Sequence, residues 1–158
     1  DLPAWLATGV PIAIGSDSQV TRSWREELRW LEYGQRVTRC RRNIGAASEH
    51  GRASTAGCLF ERCAEGGAAA AGFPRWGLQR GARADLLVVD LSDSGLIGIP
   101  DSHLLDALVF SSPGRPWRDV MVAGRWLIQD HRHAAAAKVA ARFAETMSRL
   151  WHDTPVSG

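Results

Sequence analysis

No stretch of this sequence stays apolar over the roughly 20 residues that a bilayer crossing requires. No charged-then-apolar leader opens it either. A strong charge of one sign is also missing. The formal net charge is +2, which implies neither nucleic acid nor an acidic membrane surface as a partner. Cysteine is scarce, with only Cys40, Cys58 and Cys63. An odd count without a secretory signal fits a reducing cytoplasm. Cys58 and Cys63 stand five apart in a helical stretch and so do not share a face as a metal pair would. Core packing is the simpler account of both. Internal repeats are absent, and the one basic run, Arg39 with Arg41 and Arg42, reads as a solvated helix end or, less simply, an anion site.

What is present suffices for a core. The chain has 158 residues and is 45% hydrophobic, enough for one domain or for a domain plus a fragment. It begins at Asp1 and opens in what looks like a helix tail, so it reads as a piece of a longer protein.

Residues 10–18 run Val-Pro-Ile-Ala-Ile-Gly-Ser-Asp-Ser. A short apolar run halts in a turn, as a buried parallel strand does when it delivers a carboxylate to a sheet rim. Helix follows over about 23–37, where Trp24, Leu28 and Leu31 recur at three- and four-residue steps. Arg25, Glu26, Arg29 and Glu32 fill its other faces, and Ser23 with Glu26 resembles a capping box. Residues 41–51 read as a loop. A second helix spans about 54–70 with Leu59 and Phe60, and it passes into a small-residue stretch at 66–72, where Gly72 is a plausible stop. Residues 84–90 read as a strand and 92–102 as a loop. Residues 104–110 fit a short helix or a strand equally. Residues 118–122 and 125–129 form a hairpin about Ala123-Gly124. A last helix covers about 132–151, with Val139, Phe143, Met147 and Leu150 as an apolar stripe.

In open sheets and barrels, chemistry collects where strands end, which singles out Asp17. The plainer account is a turn or helix cap, since Asp favours both. Ser16 and Ser18 either orient Asp17 or simply make the turn. His131 and His133 have metal-pair spacing but follow the hairpin, so a surface turn is the better reading. His50, His103 and His152 are isolated. Arg22 and Arg25 could face an anionic substrate, though a solvated face is the simpler account.

Three motifs together resemble the amidohydrolase superfamily: Gly15-Ser16-Asp17, the passage from Gly66 through Gly72, Gly77 and Gly81 to the strand ending at Asp90, and the hairpin Val120-Met121-Val122-Ala123-Gly124-Arg125. Ser16-Asp17-Ser18 followed by 26–36, and 106–111, resemble its deiminase branch. The resemblance implies an α/β fold. The chain would be the C-terminal fragment of a metal-dependent (β/α)8 TIM-barrel hydrolase, with part of an appended β-sandwich and a C-terminal helix. Residues 1–75 would close the barrel, 76–130 would belong to the sandwich, and 131–158 would form the helix and tail.

The resemblance further implies one divalent metal, zinc above all, held by a His-x-His pair, a further His and a strand-end Asp. Asp17 matches only the last, and the others are expected upstream of Asp1. Zinc lowers the pKa of its bound water from ~15.7 to ~7, and a neighbouring carboxylate takes the proton. Asp17 would serve as metal ligand and proton shuttle. The implied reaction converts N-formimino-L-glutamate to N-formyl-L-glutamate and ammonia. Partners would be a small-molecule substrate and a second copy, with no nucleic acid and no membrane. Another deaminase or chlorohydrolase-like amidohydrolase, or a non-catalytic dimerising remnant, are the competing readings. The chain alone is expected to lack deiminase activity and to bind zinc poorly.

Overall fold

The computed structural model describes residues 1–17, 21–46, 54–111 and 113–153; Ser18 and His50 lie outside them. Two compact units emerge. The first comprises residues 1–83 and 90–116, the second residues 84–89 and 117–158.

The first unit is helical. Helix α1 (Leu2–Thr8) starts at Asp1, whose carboxylate accepts from Ala4 N at 3.4 Å, and ends at Gly9 with φ +69°. Helix α2 (Trp24–Arg39) follows the expected apolar spacing and places Leu28 fully inside. Its start differs from a capping box. The Ser23 side chain makes no cap bond, because Glu26 instead accepts from the Thr21 hydroxyl at 2.7 Å. Helix α3 (Thr55–Ala70) is capped by Ser54, whose hydroxyl oxygen accepts from Gly57 N at 2.8 Å. Residues 104–110, open between helix and strand, form helix α4 (Leu104–Phe110). Burial settles the choice, since Leu108 and Val109 turn inward together, as adjacent strand residues could not.

Leu2, Ile12, Leu28, Ala56, Leu59, Cys63 and Val109 form one core cluster. Each buried Leu contributes on the order of 1.5–3 kcal/mol through apolar burial. Glu32, off the apolar stripe in sequence, also lies fully inside. Its carboxylate accepts from Ile44 N at 3.0 Å, Gly45 N at 2.8 Å and Arg36 Nε at 2.7 Å, so the buried charge is satisfied. Cys58 and Cys63 are buried, as expected, and no disulfide joins any of the three cysteines among the described residues.

Residues 10–14 are not a strand in this structure. A parallel strand exists only through its neighbours. All the strand pairing among the described residues lies in the other unit. The segment is nonetheless held. A Cβ on Gly66 would meet Ile12 O at 2.1 Å, so the small residue lets α3 touch the backbone of the segment. Arg62 adds a bond from Nη2 to Val10 O at 3.1 Å.

The second unit is one antiparallel sheet in the order β1-β2-β3-β4, with helix α5. Its strands are β1 (Leu86–Val89), β2 (Trp117–Val122), β3 (Arg125–Gln129) and β4 (Arg132–His133). The hairpin turn falls at Ala123-Gly124 as expected. Their φ values of +50° and +77° give the left-handed pair that a two-residue turn needs. Asp85 reinforces it by accepting from Ala123 N at 2.7 Å. Helix α5 (Ala136–Asp153) begins four residues later than expected, because Arg132 and His133 are taken up by pairing with Gln129 and Ile128. The described residues form a single sheet, not the two layers of a sandwich.

Candidate functional site

Asp17 ends the segment that α3 clamps. It is exposed, and its φ of +41° is left-handed, a conformation that Asp tolerates better than most side chains. Its carboxylate makes no hydrogen bond or ion pair among the described residues. The N–H groups that a cap at Asp17 would bind belong to residues 19 and 20, which lie outside the described residues. Ser16 is half-buried beside it.

Beside the end of this segment lies a cavity of about 230 Å³, lined by residues 14–16, residues 21–24 and Glu27. Glu27 Oε1 is buried there without a hydrogen-bond partner. Sequence pattern gave no sign of this residue, because isolation of a carboxylate oxygen is a property of the folded neighbourhood.

The cations near Asp17 divide. Arg25 is not a solvated residue and does not stand free for a substrate. Its Nη1 donates to Leu108 O at 3.1 Å and Pro113 O at 3.4 Å. Burial and the Arg29 cation push the Arg25 pKa down. Arg29 donates from Nε to Val109 O at 2.9 Å. Both satisfy carbonyls at the C-terminal end of α4, where positive charge is favourable. Arg22 lines the cavity and is exposed. In the basic run, Arg39 pairs with Asp1, while Arg41 and Arg42 border an open groove with Tyr33 and Arg36.

The histidine pair resolves as a turn. Asp130 and His131 carry φ values of +47° and +60°, and His133 Nδ1 accepts from Ala135 N at 3.1 Å. A zinc site needs three or four convergent ligands. Among the described residues, no group of three or more His, Cys, Asp or Glu is placed to hold a metal ion. The donors of the described residues therefore do not by themselves make up a metal site.

Similarity to known proteins agrees with the expected class. No family model matches the chain. The structure superposes on an amidohydrolase from Brucella melitensis with TM-score 0.82 and 33% identity, over 94% of this chain and 32% of that one. The chain is thus similar to part of an amidohydrolase, and its described residues form helices and a small antiparallel sheet. The particular protein its sequence matches is formimidoylglutamate deiminase of Pseudomonas aeruginosa, at 42% identity over 146 residues. That match takes in 92% of this chain but 32% of the enzyme, so the chain spans about a third of the length of its relatives.

Proposed function

We propose that this chain is the part of a deiminase that carries the strand-end aspartate. The intact protein hydrolyses N-formimino-L-glutamate to N-formyl-L-glutamate and ammonia. In that reading Asp17 is one ligand of a divalent metal, with zinc the expected ion, and it also carries the proton. Water oxygen bonds to the formimino carbon, and the bond from that carbon to the terminal nitrogen breaks. Asp17 accepts one proton from the attacking water and passes it to the terminal nitrogen. It then takes the second from the new hydroxyl as it becomes the formyl carbonyl and passes that on too, so the nitrogen leaves as ammonia. Ser16 and Ser18 orient the carboxylate.

The supporting observation is the exposed Asp17 carboxylate, unpartnered among the described residues and held at the end of a clamped segment, in a chain 42% identical to part of a formimidoylglutamate deiminase. The further ligands and the groups that hold the substrate carboxylates belong, in this reading, to the region that relatives have and this chain lacks. A cytoplasmic location is part of this reading. Among the described residues, no helix is long and apolar enough to cross a membrane.

The test joins this chain to its natural upstream sequence and supplies N-formimino-L-glutamate. Ammonia and N-formyl-L-glutamate should appear in equal amounts. Turnover of other amidines or aminated heterocycles instead would favour a different amidohydrolase, and no turnover of any would favour a structural remnant. The chain alone should show no activity, and micromolar zinc binding by it would overturn the assignment of the remaining ligands.

A further inference from the structure

The cavity beside the end of this segment holds an unsolved polar problem. A carboxylate oxygen shut away from water without a donor is destabilising, the more so when charged. Glu27 Oε1 is in that state. Its neighbours do not relieve it. The Glu26 carboxylate is bonded to the Thr21 hydroxyl, and Arg25 and Arg29 are drawn to the carbonyls of α4. Apart from the Trp24 indole, which has contacts of its own, the side-chain donors remaining in the cavity lining are the Ser16 hydroxyl, the Ser23 hydroxyl, which makes no cap bond, and the Arg22 guanidinium.

These donors are not equivalent. Arg22 is exposed, and withdrawing it from water would carry its own cost. Ser23 lies on the same turn of chain as Glu27 and ties nothing further to it. Ser16 is half-buried and sits directly before Asp17, whose left-handed backbone persists only if its surroundings hold it.

We infer that Glu27 is a positioning residue for Asp17, acting through a hydrogen bond from the Ser16 hydroxyl to the buried Glu27 Oε1. The bond forms on a small inward movement of the segment end into the cavity. It satisfies the isolated oxygen and fixes the turn that aims the Asp17 carboxylate. Glu27 touches neither substrate nor metal in this role. The inference rests on the reading of Asp17 as the functional carboxylate.

The experiment uses the protein in which this chain is joined to its upstream region. Ser16→Ala, Glu27→Gln, Glu27→Ala, Ser23→Ala and the double variant Ser16→Ala/Glu27→Ala are compared. Hydrogen exchange is read on a peptide covering residues 10–22, together with kcat and KM for N-formimino-L-glutamate. Glu27→Ala should speed exchange at residues 15–17 about tenfold and lower kcat by a similar factor, with KM within twofold. Ser16→Ala should do the same, the double variant should go no further, and Glu27→Gln, which keeps an acceptor oxygen, should recover most of the loss. Exchange within twofold of the wild type in Glu27→Ala would overturn the inference. So would multiplicative effects of the two single variants, or an equal effect from Ser23→Ala. If Glu27→Ala loosens the whole helical core, Ser16→Ala and Glu27→Gln decide the matter, because neither removes packing volume on that scale. Exchange is read whether or not ammonia is released, so a wild type that turns over nothing defeats the deiminase reading separately.

Discussion

At the scale of single residues, charge is disposed in three ways. Asp17 is open, Glu27 is isolated, and Glu32 is buried but fully bonded. Replacing Asp17 by Asn in the intact protein should lower kcat by at least ~100-fold, the range that a positioned proton carrier supplies, without a change in thermal midpoint. Glu32→Ala strips the partners from Ile44 N, Gly45 N and Arg36 together. Urea unfolding should show a loss of about 3 kcal/mol, the cost of leaving such groups unpaired inside. Cys63 gives a pH-dependent counterpart. Burial pushes its thiol pKa up to about 11, above the usual thiol range. The unfolded chain therefore ionises first. Any stability tied to Cys63 is intact below pH 9 and is lost as the pH climbs from 9 toward 11. The stability difference between wild type and Cys63→Ala, measured at intervals over that range, should move against the wild type as the pH rises. At pH 8, alkylation should reach the exposed Cys40 well before Cys63.

Between elements, the decisive contact is that of Gly66 with the backbone of Ile12. Any side chain at position 66 must push the 10–14 segment away. Gly66→Ala should destabilise by about 1–3 kcal/mol, as overpacking does, and a chemical unfolding curve will register it. The same level shows what a one-dimensional reading can reach. Helices α2 and α3 and the Ala123-Gly124 hairpin were legible, because periodicity and turn chemistry are local. Helix α4 was undecided at seven residues and was settled only by what Leu108 and Val109 pack against. Residues 10–14 had the pattern of a strand but lack the partners that make one. Arg25 looked like a solvent-facing charge because the carbonyls it binds lie 83 and 88 residues away along the chain. Asp17 was visible through its strand-end setting, whereas Glu27 became visible only once the cavity around it was known.

For the molecule as a whole, apolar surface is left over. Trp30, Val37 and Leu78 in the first unit are 71%, 80% and 90% exposed, and Phe143 and Trp151 on α5 are 66% and 73% exposed. Surface of this kind seeks cover. The chain by itself should self-associate, with a sedimentation coefficient that rises with concentration, and Val139→Ser/Phe143→Ser/Leu150→Ser should reduce that rise. The sheet adds a direction to this tendency. Its two outer strands differ: β4 has two residues and runs straight into the approach to α5, while β1 has four, with Leu87 46% exposed. A further strand can dock along Leu86–Val89 but finds almost no backbone to pair with beyond Arg132–His133. The sheet is therefore a one-way template. Whatever completes it, whether a preceding region of the same polypeptide or a stray copy, must add at the β1 margin, and correct assembly then depends on which of the two arrives there first.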